Sequence, residues 1–488
     1  MSESTMKQDY TLPELCRFEA VPLAAMLRRK EVSAVEVMKT YLDHIDAVNP
    51  AVNAIVSLRP REDLLAEAEL ADLALARNEE VGPLHGIPQA IKDLAQTRGL
   101  RTTLGCLLFE NHIPEEDSIF VARMRKAGAI IMGKTNVPEL GLGSNSYNPI
   151  FGLTRNAYDP DHVGGGSSGG AGVALALRML PVADGSDMGG SLRNPAAFNN
   201  VYGFRVSQDL IPIEGVDVFY SQMPVVGPMG RTVEDLAMLL SVQAGYDARA
   251  ALSLDNPQGW LSGLAPADPK KLRIGWLGDF GGHLPFEPGV LELTRKAVSL
   301  FAEEGAVVED VEPFFDMAQL WDAFLTLRSQ RVGGKLHAAY QNPKTRSLLK
   351  PEAIWEVERS LGQSGLDVYN ASVVRTSWYL ALLRLYERYD FLVLPSAQVF
   401  PFRAGIDWPQ EVGGRKMDSY HRWMEVVIGS TMSGCPANSV PAGFNENGLP
   451  MGFQIMGRPR GDRSVLEATL LYERISNWHK RLPPMIAS

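Results

Sequence analysis

The chain has 488 residues, 45% of them hydrophobic and 21% charged, which supplies apolar surface for a large core and excludes disorder as the main state. Its 57 acidic and 47 basic side chains leave a net charge of -10, the wrong sign for the electrostatic footprint of a nucleic-acid binder. A mean hydropathy of -0.07, without a run of about 18 apolar residues, argues against a membrane-spanning helix.

Cys16, Cys106 and Cys435 lie far apart, so neither a disulfide framework nor a zinc pattern is expected, and no HExxH places two of the eight histidines on one helix face. The polar start, Met1 to Tyr10, has no basic stretch followed by an apolar one. The expected compartment is therefore the cytoplasm.

The first eighty residues read as a helical arm. Ser33 and Glu36 fit a capping box, and Val35, Val37, Met38, Leu42 and Ile45 follow near a 3.6 period. Residues 62–77, rich in Ala, Leu and Glu, predict a second helix. From Gly82 the texture changes. Residues 86–94 read as a buried strand ending in Lys92-Asp93, 117–126 as a helix and 129–133 as a short strand, an alternation typical of a layered α/β protein. After a Pro/Gly/Asp-rich connection at 255–271 come a strand at 272–277, a helix at 288–304 and strands at 306–311 and 391–394. The expectation is a single domain overall, an arm over 1–80 and a catalytic domain over 81–488, with a large mixed, mostly parallel-like sheet.

Between 141 and 190 the chain places twelve of its 45 glycines in fifty positions. Two loops stand out: Val163-Gly164-Gly165-Gly166-Ser167-Ser168-Gly169-Gly170, leading into an apolar helix, and Asp187-Met188-Gly189-Gly190-Ser191-Leu192-Arg193. Gly164, Gly166 and Gly169 match GxGxxG, but the dinucleotide fold needs a strand before it, and 156–162 is not one. Gly165-x-Ser167-x-Gly169 matches a nucleophile elbow, which also lacks its lead-in strand and a persuasive downstream histidine. SxxK occurs at Ser4/Lys7 and Ser347/Lys350, without a glycine scaffold. Plain turns would serve to explain one such loop, but not two, each with serine beside paired glycines and near a Lys-Asp strand end.

The fourth reading joins Lys92, Ser167 and Ser191. Gly86-Ile87-Pro88 with Ile91-Lys92-Asp93, Gly133-Lys134-Thr135-Asn136, the two glycine-serine loops, Gly227-Pro228-Met229 and Gly448-Leu449-Pro450-Met451-Gly452-Phe453-Gln454 together resemble the amidase signature family, from roughly residue 15 to 475. The resemblance implies a three-layer α/β/α fold, a large mixed central sheet flanked by helices, and a Ser–cis-Ser–Lys triad. In it Ser191 is the nucleophile, Ser167 the bridging hydroxyl after a cis Gly166-Ser167 bond, and Lys92 the base.

Each role has a chemical rationale. A serine hydroxyl needs an adjacent base, and lysine serves only when burial makes it neutral. The amides of Met188, Gly189, Gly190 and Ser191 are expected at the developing oxyanion, Gly141 and Ser168 beside the substrate, and Asp187 with Arg193 as a brace behind the loop. No metal and no organic cofactor is implied. The partner is a small-molecule amide, with no nucleic acid and no membrane, and the arm is a candidate homodimerisation element.

Gly203-Phe204-Arg205-Val206-Ser207 departs from the Gly-Leu-Lys-Pro-Thr the family often carries, so the following loop, through Asp217, is expected to be shaped differently. A free-standing amide hydrolase is the leading reading, with apolar or aryl amides favoured if aromatics of the 312–425 stretch line the cleft. The alternatives are a glutaminase subunit of a tRNA-dependent amidotransferase, against which Tyr220 to Val225 argues, and a non-enzymatic scaffold.

Overall fold

The N-terminal helices form where the sequence supplies their caps. In the computed structural model, which describes residues 10–220, 222–256 and 259–487, the Ser33 hydroxyl accepts the Glu36 N–H at 3.0 Å. The Glu36 carboxylate accepts the Ser33 N–H at 2.9 Å, closing the capping box that starts helix Ala34–Val52. Helix Arg61–Ala76 packs against it. The Ser4/Lys7 pattern lies outside the described residues.

Strands β1 (Ile55–Val56), β2 (Pro88–Lys92) and β3 (Ile130–Thr135) form a small sheet in the order β1-β3-β2. β2 and β3 run parallel because the helix Ile119–Lys126 crosses between them, and every residue of both is buried. β1 lies within the 1–80 stretch and pairs with β3, so the arm and the rest of the chain share this sheet.

The large sheet contains β4 (Ala183–Asp187), β5 (Tyr202–Arg205), β6 (Val225–Gly230), β7 (Arg273–Trp276), β8 (Val307–Asp310) and β9 (Phe391–Pro395). A hairpin of β10 (Glu411–Val412) and β11 (Arg415–Lys416) stands apart from it. β12 (Ala437–Phe444) and β13 (Pro450–Met456) complete eight strands in the order β4-β6-β5-β12-β13-β9-β7-β8. The sheet is mixed, as expected, but not mostly parallel: five of its strand pairs are antiparallel and two parallel. Only β7 to β9 follow the strand–helix–strand texture seen after residue 270, with helix Val290–Glu303 crossing between β7 and β8. β12 and β13 instead meet through a tight turn at Asn445–Gly448, where the Asn445 carbonyl accepts the Gly448 N–H at 3.0 Å.

The 312–425 stretch, for which the sequence offered no elements before residue 391, folds largely as helices. Met317–Gln341, Pro351–Leu361 and Gly365–Tyr386 pack together into a wall beside the C-terminal end of β4.

Candidate active site

Lys92 is the last residue of β2 and is buried. Its backbone N–H donates to the Asp184 carboxylate of β4 at 3.2 and 3.3 Å, which joins the two sheets at this point. Its Nζ lies 2.8 Å from Ser167 Oγ, 2.8 Å from Ser168 Oγ and 2.9 Å from Ser186 Oγ, and donates to the Ser186 carbonyl at 3.2 Å. Loss of hydration pushes the Lys92 ammonium down to about 7, against the pull of Asp184 and Asp187. Asp184 is in turn pushed up to about 6 by burial, moderated by the Lys92 N–H and by Lys134.

The first glycine loop is held from both sides. The Gly166–Ser167 peptide is cis. Ser146 N–H donates to the Gly165 carbonyl at 3.0 Å, and Ser168 N–H donates to the Ser191 carbonyl at 3.1 Å, tying the first loop to the second. Ser168 is fully buried; its hydroxyl faces Lys92 and accepts the Ser186 N–H at 3.3 Å. Its hydroxyl is thus engaged in hydrogen bonds within the site, at Lys92 and Ser186, and it is absent from the cavity wall where a substrate contact was also expected.

The second loop is built around Asp187. Its carboxylate accepts the N–H of Gly190 at 3.0 Å and of Leu192 at 3.2 Å, and two bonds from Arg193 at 2.9 and 3.0 Å. Arg205 reaches it at 3.3 Å. Burial alone would raise this carboxyl, but Arg193 and Arg205 override it and hold it well below the usual carboxylate range. The expected brace is therefore present and larger than the Asp187–Arg193 pair, because Arg205, one of the four residues that depart from the family pattern, is part of it.

Gly190 needs its glycine. Its φ is +91°, and a Cβ there would stand 2.2 Å from Asn194 Oδ1. Its N–H is turned to Asp187, which corrects its expected role as an oxyanion donor. Met188, Gly189 and Ser191 remain on the cavity wall.

That cavity has a volume of about 340 Å³. Ser167, Ser191, Gly189 and Gly141 lie on one side of it. Gly141 has a φ of +71°, and a Cβ there would lie 3.8 Å from Ser167 Oγ. Leu94, Leu104, Leu140, Leu142, Met424 and Ile428 make much of the remaining surface apolar. The Met317–Gln341 helix adds Trp321 and Phe324, whose ring tip sits 3.5 Å from where a Gly189 Cβ would be. Phe314, Phe315, Trp378, Trp408 and Trp423 pack in or against the hydrophobic core instead. A second cavity of about 460 Å³ lies on the Lys92 side, bounded by Asp184, Ser186, Gln96 and Glu214.

Sequence reasoning missed Ser186, Asp184 and Arg205. Ser186 had a usable signal, since it stands five residues before Ser191 on a strand whose neighbours were already implicated. Among the described residues no cluster of three or more His, Cys, Asp or Glu side chains is placed to hold a metal ion, and no helix is long and apolar enough to cross a membrane.

The architecture has close counterparts. A bacterial aryl acylamidase of the amidase signature enzymes superposes with a TM-score of 0.90 at 28% identity, over 96% of this chain and 99% of that one. The peptide amidase of Stenotrophomonas maltophilia gives a TM-score of 0.80 at 25% identity, over 97% and 100%. In sequence, a glutamyl-tRNA(Gln) amidotransferase subunit from Thermus thermophilus is 35% identical over 488 aligned positions, 94% of this chain and 98% of that one. The corresponding subunit from Acidothermus cellulolyticus is 40% identical over 309 residues, 63% of this chain and 61% of its own length. The fold is thus that of enzymes acting on amide bonds. The Amidase family profile matches residues 36–466, and the chain belongs to the amidase family.

Proposed function

We propose that the protein is a serine amide hydrolase that cleaves carboxylic amides through an acyl-enzyme on Ser191, with Ser167 and Lys92 as its proton relay. The observation that carries this reading is the buried Lys92 Nζ, 2.8 Å from Ser167 Oγ, beside a cavity that also exposes Ser191. Neutral Lys92 accepts the Ser167 proton as Ser167 accepts that of Ser191. Ser191 Oγ then bonds to the amide carbon. The oxygen takes up negative charge facing the backbone amides around Met188 and Gly189, donors of a kind worth about 2.7–4 kcal/mol each. As the C–N bond breaks, the relay returns the proton through Ser167 to the departing nitrogen. Water enters by the same relay, releasing the acid and restoring Ser191.

The apolar walls and the rings of Trp321 and Phe324 favour an apolar or aryl amide over a small polar one, with ester or carbamate cleavage as side activity. The likeness to an aryl acylamidase points the same way. A panel of acyl amides, anilides, esters and carbamates, with the Ser191→Ala protein as blank, tests it. Turnover that persists in the blank refutes the role of Ser191.

The 35% identity to the Thermus amidotransferase component supports a second reading, a glutaminase subunit of a tRNA-dependent amidotransferase. Co-purification with partner subunits and selective hydrolysis of glutamine would favour it. Anilide turnover by the chain alone favours the first. We place the enzyme in the cytoplasm and take the N-terminal arm as a candidate homodimerisation element.

A further inference from the structure

The helix Met317–Gln341 presents one face to the cavity, and the character of that face changes along its length. Trp321 and Phe324 come first, then Arg328, Arg331 and Lys335 at spacings of three and four residues. Arg328 is committed: its Nε donates to Glu356 Oε1 at 2.8 Å, and one terminal nitrogen donates to the Tyr420 hydroxyl at 2.8 Å. Asp187, the carboxylate on the same cavity wall, is held by Arg193 and Arg205. Lys335 forms no ion pair among the described residues; it is exposed, and lies where both large cavities meet. The facing loop brings Asp217 close enough to act on Arg331 and Lys335 electrostatically. The other acid there, Glu214, accepts the Ile119 N–H at 3.0 Å at the start of a helix. Among the described residues Lys335 therefore has only the exposed Asp217 to answer its charge, which leaves positive potential where an otherwise apolar cavity opens.

We infer that Lys335, with Arg331 beside it, reads an anionic group at the far end of the substrate, so that the preferred amides carry a carboxylate separated from the scissile bond by an apolar spacer. This rests on the amidase reading and deepens it. Phe324 lies against Gly189, and Lys335 follows eleven residues later, about 16 Å along the axis at 1.5 Å per residue. The long, flexible Lys335 stem can swing back toward the helix N-terminus, which brings its ammonium to on the order of 10 Å from the level of Phe324. An extended eight-carbon chain spans that distance. Burial and then the Arg331 charge push the Lys335 ammonium down to about 8, while Asp217 pulls the other way.

The test uses three amides: octananilide, suberic acid monoanilide with a carboxylate at the end of the acyl chain, and N-octanoyl-4-aminobenzoate with a carboxylate on the amine side. In wild type at low salt, kcat/KM should favour at least one carboxylate compound over octananilide by about tenfold, mainly through KM. Lys335→Met should remove most of the preference, Lys335→Glu should reverse it, and 0.5 M salt should erode it. Binding of the three compounds to the Ser191→Ala protein gives the same ranking without turnover. Octananilide turnover with no carboxylate preference in kinetics or binding overturns the inference and leaves the amidase reading intact. Tighter binding of a carboxylate compound that depends on Lys335, without turnover of any of the three by wild type, keeps Lys335 as a carboxylate contact and counts against the amidase reading. A preference that survives Lys335→Glu overturns the assignment to this residue.

Discussion

The two sides of the cavity are made in opposite ways. On the Lys92, Ser167 and Ser191 side the backbone does most of the positioning: a strand end, two glycine loops, and carbonyls and N–H groups bonded to one another across the loops. On the Met317–Gln341 side a regular helix presents side chains to the cavity, and of these Arg328 is bound to Glu356 and Tyr420. The first side has little freedom to vary, because a Cβ at Gly190 or a charge change at Asp187 disturbs several bonds at once. The second can change what it contacts without disturbing the first. On the proposed function, chemistry and substrate choice are thus separable in this molecule.

The largest way to break that comparison is Ser191→Ala. It should abolish covalent labelling by a fluorophosphonate probe, read by intact mass; labelling that persists at Ser167 or Ser168 would move the nucleophile to the first loop. Lys92→Ala should come next, lowering kcat/KM by about 10²–10⁴ on an anilide and by less on the matched phenyl ester, since a departing amine needs a proton and a phenoxide hardly does. Equal losses on both would detach Lys92 from the relay.

Asp187→Asn acts through stability. It leaves Arg193 and Arg205 buried around a neutral side chain, an effect of about 3–5 kcal/mol for a broken buried pair, measurable as a lower denaturation midpoint. An unchanged midpoint would show that the brace is not structural. The mildest case is Phe324→Leu on the helical side, which should raise KM for aryl amides severalfold while kcat and the pH profile stay in place. A changed pH profile would mean that the two sides are coupled after all.

What the sequence revealed follows the same division. Lys92, Ser167 and Ser191 could be read as one set through the resemblance to the amidase signature family, and the structure places Lys92 beside Ser167, with Ser167 and Ser191 on one cavity wall; the Ser33 box and the strand at 391–394 were legible because their local signals are strong. Gly190 was placed in the right loop but with the wrong partner, and Ser168 was expected to hydrogen-bond internally without Lys92 being named as its partner. Whether an N–H faces Asp187 or open cavity depends on one turn of backbone, and Ser168 was drawn to Lys92 by a side chain 76 positions away. Arg205 read as a departure and proved to be a ligand of Asp187. The helical wall was opaque, since a helix that lines a cavity has the same composition as one that covers a core. Trp321 and Phe324 reached the cavity, while Trp378 and Trp423, of the same composition class, did not.

The most direct measurement is the pH dependence of kcat/KM for one good anilide in wild type, from pH 5.5 to 9. Burial sets the Lys92 ammonium near 7, so the neutral base is scarce below that value and dominant above it. The rate should rise about tenfold per unit at low pH and level off above about pH 7 to 8. A profile that is flat, or that falls as pH rises, would contradict a neutral lysine as the base that activates Ser191.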